Sequence, residues 1–299
     1  DMPNTNPLTV TLDALNAKLD LLNEKCIVNH SCYFGATNNN YTEFDKLDKH
    51  RVCGIKLFMG SSTGNMLVDK MNSLLNIFNG TDMLIAAHCE VQETIKTNIE
   101  KYKQKYKGAD DIPVSAHPSI RSVPACYASS ELAVRLAKIA GARLHILHVS
   151  TAKELQLFSD EPLASKNITA EACVAHLLFT LTHYNSLGTR IKCNPAVKRK
   201  TDREALRAAV NSGLIDVIAT DHAPHLLNEK EGGALKAMSG MPMIQFSLVS
   251  MLELVDKGVF SLETVVQKMC HAPARIYGIC HRGYIREGYQ ADLVLVRPN

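Results

Sequence analysis

The sequence of 299 residues is informative first for what it lacks. It has no tryptophan and no run of about 18 uncharged apolar residues, so no transmembrane helix is indicated. Its nine cysteines are scattered without a C-x-x-C pair, which argues against a structural zinc site built from thiolates and fits reduced cytosolic thiols. A formal net charge of +3 is too small to indicate nucleic acid or an anionic membrane as a partner. We therefore expect a soluble, cytoplasmic protein.

Strand-like and helix-like segments alternate along the chain, which favours a parallel sheet with crossover helices. The predicted strands cover residues 31–37, 54–60, 83–90, 144–150, 167–173 and 215–221. Helical patterns cover residues 11–23, 130–139, 152–160 and 201–212. The last of these opens with Thr201 and Glu204 at the spacing of a capping box, which predicts a helix start.

Polar residues follow several of these strands, which favours a TIM (β/α)8 barrel over a doubly wound sheet with one switch point. We predict an α/β fold in which residues 1–280 form this barrel. From residue 281 the pattern changes to a turn and a strand-like run at 291–296, which predicts the beginning of a small β-sandwich domain over 281–299. Because the chain opens on a loop motif with no strand before it, we expect the barrel to lack its first strand and most of its second.

Three apolar strands end in residues that can bind metal. These residues are His88, His148 and Asp221. Asp221 belongs to the run Thr220-Asp221-His-Ala-Pro-His225. A single histidine at a strand end is usually a hydrogen-bonded structural residue. Three such ends in one chain favour a catalytic metal centre, because the loops after parallel strands line one open face. His145 lies three residues before His148, so strand alternation predicts that it is structural and faces the helical layer.

Lys56 lies inside the apolar segment Gly54-Ile-Lys-Leu-Phe-Met-Gly60. A buried lysine is costly unless its charge is paired, removed or carried to the rim by the flexible side chain. The alternative is that burial lowers the pKa until the neutral amine reacts with carbon dioxide. The resulting carbamate has two oxygens and could bridge two metal ions.

In this order along the chain, Lys56, His88, His148 and Asp221 resemble the metal ligands of the amidohydrolase superfamily. Within it, the sequence is most similar to the class I dihydroorotases, and the resemblance covers nearly the whole chain. The matching motifs are Asp1-Met-Pro-Asn4-Thr-Asn-Pro7, Ile55-Lys56-Leu-Phe, His88-Cys-Glu90, His148-Val-Ser-Thr151, Thr169-Ala-Glu171, Asn194-Pro195 and Thr220-Asp221-His-Ala-Pro-His225.

The resemblance implies a hydrolase that reversibly cyclises N-carbamoyl-L-aspartate to L-dihydroorotate plus water in pyrimidine biosynthesis. It implies two zinc ions, bridged by carboxylated Lys56 and bound by His88, His148 and Asp221. A hydroxide between the ions would attack the ring carbonyl, and Asp221 would act as base and then as acid.

The resemblance also implies a binding site for the substrate. Asn4 and His225 match residues that bind the substrate carboxylate, Asn194 matches one that contacts the pyrimidine ring, and the loop at Ser239 and Gly240 matches one that offers backbone contacts. The Met-Pro-Asn motif, Asn194 and the Asp-His-Ala-Pro-His run separate dihydroorotases from dihydropyrimidinases, hydantoinases and allantoinases.

The sequence departs from the family pattern in three places. The family's His-x-His pair and following arginine are not in this sequence, so we expect them upstream of Asp1 and near-zero activity from this chain alone. The family often has Pro-His-His where this chain has Cys173-Val-Ala-His176, so we treat His176 as structural. Some dihydroorotases use an aspartate shortly after the lysine position as the bridge. Here Ser61 and Ser62 follow, which favours Lys56.

Two alternatives remain open at this point. One is a related cyclic amidase acting on dihydropyrimidines, hydantoins or allantoin. The other is a catalytically silent homologue that scaffolds a partner such as aspartate transcarbamoylase, although a silent copy has no need to keep both Lys56 and Asp221. In either enzymatic case the partner is a small-molecule substrate, and a homodimer is compatible with the sequence.

Overall fold

A computed structural model describes residues 1–60 and 66–297, and within them the sheet is wholly parallel. Its six strands lie side by side in chain order, as the sequence predicts for a barrel wall. The strands are β1 Cys32–Gly35, β2 Val52–Phe58, β3 Ile85–His88, β4 Leu144–Ile146, β5 Ile168–Cys173 and β6 Val217–Ala219. Beyond β6, His222 forms a parallel bridge with Met241.

Helices connect the strands. In chain order they are α1 Leu12–Lys25, α2 Met71–Asn79, α3 Gln92–Lys105, α4 His117–Ile120, α5 Val123–Ala140, α6 Val174–Leu178, α7 Tyr184–Leu187, α8 Lys200–Ser212, α9 Ser247–Asp256, α10 Leu262–Val266 and α11 Ala272–Ile276. Helix α1 begins after Thr11, whose hydroxyl accepts a hydrogen bond from the Ala14 N–H at 3.2 Å, so the helix predicted there is confirmed.

Two helix predictions need correction. Helix α8 begins at Lys200, before the predicted cap at Thr201, and the Asp202 carboxylate accepts from the Arg199 N–H at 3.2 Å. The helix predicted over 152–160 is wrong, because only the 3₁₀ turn Glu154–Leu157 forms there. The buried Glu154 carboxylate accepts from the Thr151 hydroxyl at 2.8 Å and from the Ser150 N–H at 3.3 Å. Such local side-chain hydrogen bonds compete with a regular helix.

Alternate residues of each strand face opposite sides of the sheet. Ile55, Leu57, Ile85 and Ala87 belong to the main hydrophobic core, which the sheet forms with the surrounding helices. The intervening residues, such as Lys56, Ala86 and His88, face the other side, which we call the inner face. Burial on both sides is typical of a parallel sheet covered by helices.

Gly54 is required for close packing of β2 against β3. Its φ is +156°, and a Cβ atom there would lie 2.5 Å from the carbonyl oxygen of Leu84. Any other residue would push the two strands apart just before the position of Lys56.

The segment from residue 281 onward is mostly exposed and contains no regular secondary structure within the described residues. The strand predicted over 291–296 is not formed, since none of the described strands lies beside it to pair with it, and Leu295 is 99% exposed. The division into a barrel and a second domain stays a prediction.

Two further features bear on the composition of the chain. All nine cysteines carry free thiols, and five of them are buried. No helix of the described residues is both long and apolar enough to cross a membrane.

Candidate metal centre

His88 and His148 meet on the inner face. His88 is the last residue of β3, and His148 follows β4 by two residues. The Nδ1 atom of His88 lies 3.1 Å from Nε2 of His148, and the two rings are edge to face with centroids 4.8 Å apart. Burial lowers the pKa of both imidazoles, so both are neutral and each has a lone pair available to a metal ion.

The prediction that His145 faces the helical layer is wrong. His145 does not face the helical layer: its Nδ1 lies 2.8 Å from the Thr169 hydroxyl and its ring packs against Tyr277 on the inner face. Alternation would then place His148 on the outer face. The backbone of His148 instead adopts a left-handed φ of +40°, which ends the strand pattern and turns its side chain inward.

Lys56 is buried on β2, with 2% of the residue exposed. Its ammonium has no hydrogen-bond partner among the described residues and lies 3.9 Å from the centre of the Phe58 ring. Burial lowers the pKa of Lys56 to about 7, although neighbouring Cys89 and Asp221 raise it. Near neutral pH a substantial fraction of this amine is therefore uncharged and nucleophilic.

Asp221 comes two residues after β6 and is also left-handed, with φ of +44°. Burial raises the pKa of its carboxyl group to about 6. The nearby Glu171 carboxylate raises this pKa further, whereas Lys56 lowers it. Asp221 and Lys56 therefore lie close enough on the inner face for each charge to shift the pKa of the other. Two of the four predicted ligands have a backbone conformation that residues other than glycine rarely adopt, which is common at functional sites.

Glu90 contacts the His88 ring and is itself bonded by Arg121. Glu90 is fully buried, and its Oε2 atom lies 3.1 Å from His88 Nε2 and accepts a hydrogen bond from Arg121. Burial alone would raise the pKa of Glu90, but Arg121 and His88 lower it to about 2. A carboxylate in this position fixes the orientation of a metal-binding imidazole and increases its basicity.

Glu171 is a residue whose role sequence reasoning did not assign. Its carboxylate accepts from the His148 N–H at 3.2 Å and lies 3.4 Å from His145 Nε2. It therefore holds the left-handed turn at His148. The signal was available, because a glutamate inside the apolar run 168–173 is as unusual as Lys56 in its own strand.

Of the residues predicted to bind substrate, Asn194 lies next to the group formed by His225, Ser239 and Gly240, and Asn4 lies apart from them. Asn194 follows the buried Cys193, and its Oδ1 atom is buried without a hydrogen-bond partner among the described residues. His225 Nε2 lies 3.3 Å from the Ser239 carbonyl oxygen, so His225 is near the predicted Ser239–Gly240 loop. Asn4 is half-buried in the segment that pairs with the free edge of β1. No hydrogen bond within the described part of the chain joins Asn4 to the other four.

The donor set fits a metal ion, as judged from the free polar atoms. Among residues 1–60 and 66–297, no three His, Cys, Asp or Glu side chains form a cluster with metal-binding geometry. However, Lys56 Nζ is buried without a hydrogen-bond partner in those ranges, and buried polar atoms are normally satisfied. Two nitrogens bound to one tetrahedral zinc ion at 2.0–2.1 Å are about 3.3 Å apart, close to the 3.1 Å between His88 and His148. Ser61 and Ser62 lie outside the described residues.

The sequence matches the family model described as "Amidohydrolase family" over residues 8–299. A protein named dihydroorotase from Halobacterium salinarum is 31% identical over 301 residues, which is 100% of this chain and 68% of the relative. A dihydroorotase from Methanosphaera stadtmanae is 29% identical, with 99% of this chain and 66% of the relative covered. An allantoinase from Bacillus velezensis is 28% identical, with 100% and 66% covered. The chain thus spans about two thirds of the length of these curated relatives.

Solved structures give a similar result. The L-hydantoinase (dihydropyrimidinase) from Arthrobacter aurescens superposes with a TM-score of 0.90 at 28% identity, over 97% of this chain and 66% of that one. The dihydropyrimidinase from Brevibacillus agri superposes with a TM-score of 0.81 at 20% identity, over 93% and 63%, and supports the fold alone.

Proposed function

This chain belongs to the amidohydrolase family and has its α/β TIM-barrel type of fold, and from that premise we propose that it is the catalytic part of a dihydroorotase. In this proposal the complete protein interconverts N-carbamoyl-L-aspartate and L-dihydroorotate in cytoplasmic pyrimidine biosynthesis. Nine free thiols support a reducing compartment.

One observation carries the proposal of a hydrolytic site. Lys56, His88, His148 and Asp221 come from four different strands or from the residues just after them; the first three are buried on the inner face, and Asp221 is half-buried. Burying ionisable groups together is costly without a compensating ligand. A site for divalent cations offsets that cost and explains why the chain places them there.

Lys56 in its carboxylated form, His88, His148 and Asp221 would hold the metal, and zinc suits this mixture of nitrogen and oxygen ligands. When bound, the metal polarises the carbonyl group of a cyclic amide and makes water a nucleophile near neutral pH.

The protein's own residues would manage protons and orientation. Asp221, with its pKa near 6, is suited to take a proton from attacking water and return it to the departing ring nitrogen. Glu90 keeps the His88 ring in place, and Glu171 keeps His148 turned inward. Together these contacts hold the groups in position before the substrate binds.

Asn194 and His225 would recognise the substrate. The free Oδ1 atom of Asn194 can accept a hydrogen bond from a ring N–H of a cyclic ureide. His225 lies beside the Ser239 carbonyl, and its Nδ1 atom is 3.6 Å from Glu229. In this proposal a ring N–H of His225 donates to the substrate carboxylate, a group that dihydrouracil, hydantoin and allantoin lack.

A related cyclic amidase is the second candidate. It is favoured by the TM-score of 0.90 to an L-hydantoinase and by the 28% identity to an allantoinase. Measuring ring opening of dihydroorotate, dihydrouracil, hydantoin and allantoin by the complete, metal-loaded protein separates the two. We expect kcat/KM to be highest for dihydroorotate. Equal or faster turnover of the rings without a carboxylate would reject dihydroorotase in favour of the second candidate.

A further inference from the structure

Lys230 is a buried lysine that no part of the proposed chemistry uses. Only 7% of the residue is exposed. Its ammonium donates hydrogen bonds to three carbonyl oxygens: Lys192 at 3.0 Å, Met238 at 2.8 Å and Gly240 at 2.8 Å. Three bonds are the full donor capacity of a lysine ammonium, so its charge is satisfied entirely by backbone.

The three carbonyls belong to the two segments that we expect to contact the ring of the substrate. Lys192 lies two residues before Asn194, whose side-chain oxygen is buried and free. Met238 and Gly240 flank Ser239 in the predicted backbone-contact loop. The Lys192 carbonyl also accepts from the Gly240 N–H at 2.9 Å, so both segments meet at one oxygen.

The segment that carries Asn194 is anchored independently of Lys230. His117 Nε2 lies 2.9 Å from the Cys193 carbonyl oxygen, and His176 Nε2 lies 2.9 Å from the Pro195 carbonyl oxygen. Burial lowers the pKa of His117 to about 3 and that of His176 to about 4, so both rings are neutral and donate through Nε2. The side containing Asn194 is therefore fixed without Lys230. The loop at 238–240 has backbone bonds of its own, from the Met238 N–H to the Glu229 carbonyl and from the Gly240 N–H to the Lys192 carbonyl, both at 2.9 Å, and Lys230 adds bonds to the carbonyls of Met238 and Gly240.

The Lys230 ammonium and the three carbonyl oxygens that it bonds, which we call the clamp, lie next to the proposed catalytic groups. Cys193, between Lys192 and Asn194, has a thiol whose pKa is raised by burial and further by the nearby Asp221 carboxylate. A shift of the 238–240 loop relative to this segment would therefore change the space beside Asp221 and Asn194.

We propose that Lys230 is a positioning residue, whose ammonium holds the Met238–Gly240 loop at a fixed distance from Asn194 and so shapes the binding site for the ring of a cyclic ureide. This inference rests on the proposed function, because it assigns the substrate-contacting role to the same two segments. Bonds from a charged donor are stronger than neutral ones, which is why an ammonium holds three carbonyls where a neutral side chain would not.

The test compares Lys230→Met with Lys166→Met in the complete, metal-loaded protein. Methionine keeps the length of the side chain and removes all three donors. Lys166 is a matched control at the opposite end of the strands: it is also buried, pairs with Asp216 at 2.8 Å and donates to the Gly213 carbonyl at 2.8 Å. We expect both variants to lose stability and only Lys230→Met to change the loop.

Two readouts separate positioning from stability. We expect the Gly240 amide proton to exchange with solvent about tenfold faster in Lys230→Met and at the wild-type rate in Lys166→Met. We also expect KM for the substrate that the wild type turns over to rise about tenfold in Lys230→Met, with kcat changed much less. If Lys230→Met does not fold, Lys230→Gln, which keeps two N–H donors, should give smaller changes in the same direction.

The outcomes distinguish this inference from the proposed function. If exchange at Gly240 is unchanged in Lys230→Met, Lys230 does not hold the loop. If exchange is faster but KM is unchanged, Lys230 holds the loop without positioning the substrate. If the wild-type protein opens no cyclic amide, the proposed function fails. Exchange at Gly240 then decides alone whether Lys230 holds the loop.

Discussion

His88 Nδ1 and His148 Nε2 lie 3.1 Å apart although 60 residues separate them in sequence. Each ring has its other nitrogen directed elsewhere: that of His88 lies 3.1 Å from Glu90 Oε2, and that of His148 has no hydrogen-bond partner within the described residues. Two neutral imidazoles in edge-to-face contact leave one lone pair each for a shared cation. This pair is the geometric basis for expecting that the metal content of the protein depends on both residues.

Replacing either histidine should remove metal. We expect His148→Asn and His88→Asn each to lower the zinc bound per protein severalfold, because the ion loses one of its nitrogen ligands. Elemental analysis after dialysis measures this directly. His145→Asn is the matched control, since His145 is buried on the same face but bonds to Thr169. Full zinc content in His148→Asn would show that His148 is not a ligand.

Lys56 should carry one molecule of carbon dioxide in the metal-loaded protein. Its amine is buried, lacks a hydrogen-bond partner in the described residues and has a pKa lowered by burial to about 7. We expect native mass spectrometry to show the added mass of one carbon dioxide, which disappears in Lys56→Ala. Lys56→Glu places a carboxylate nearby and should retain more zinc than Lys56→Ala. An unmodified wild-type protein with full zinc content would contradict this prediction.

The sequence predicted the fold well because apolar strand segments and their order are local features. The six strands predicted for the barrel form and pair in chain order, whereas the strand predicted over 291–296 does not form. It failed at His145 because the rule of alternation assumes an uninterrupted strand. The left-handed backbone at His148 breaks that rule, and no feature of a single sequence reveals a positive φ at a residue other than glycine.

The supporting contacts were also beyond the sequence. Glu90 belongs to the motif His88-Cys-Glu90, but its hydrogen bond with Arg121 joins residues 31 apart in sequence. The helix predicted over 152–160 failed because Glu154 bonds to its own loop and to Ser130 at 2.7 Å. The long-range bonds from Arg121 and Ser130 depend on the assembled fold, whereas periodicity reports only the local chain.

Gly240→Ala should impair the predicted substrate loop. Gly240 has φ of +149°, and a Cβ atom there would lie 2.3 Å from the Ala223 carbonyl oxygen and 3.1 Å from His225 Cδ2. The loop must therefore move away from His225, and we expect KM to rise with a loss of stability of about 1–3 kcal/mol. Gly258→Ala is the control, because Gly258 also has a positive φ, +67°, but a Cβ there would meet no atom within 4 Å. An unchanged KM in Gly240→Ala would argue against contact between this loop and the substrate.

Stability should fall as the pH falls below about 6.5, the usual pKa of histidine. His117 and His176 have pKa values near 3 and 4 in the folded protein, because burial disfavours their charged forms. Between these values and 6.5 the unfolded chain binds protons that the folded chain does not, so each histidine lowers the unfolding free energy by about 1.4 kcal/mol per pH unit. Above that range their contribution is constant. Urea unfolding at several pH values measures the slope, and His176→Gln, which keeps an N–H donor for Pro195, should reduce it. The same slope in that variant would mean that other groups cause the pH dependence.

Asp221→Asn should separate catalysis from folding. Asparagine tolerates the left-handed φ of +44° at this position, so the variant should fold with nearly wild-type stability. It lacks the carboxylate that we expect to accept and return the proton, and kcat should fall about a hundredfold or more. Asp221→Val is the matched comparison, because a β-branched residue is strained at this φ and should also lower the melting temperature. Steady-state kinetics and thermal unfolding of both variants check this. If Asp221→Asn kept kcat within a few-fold of the wild type, the proton transfer would have to belong to another group on the inner face. Glu171, whose carboxylate raises the pKa of Asp221, is the group to examine next.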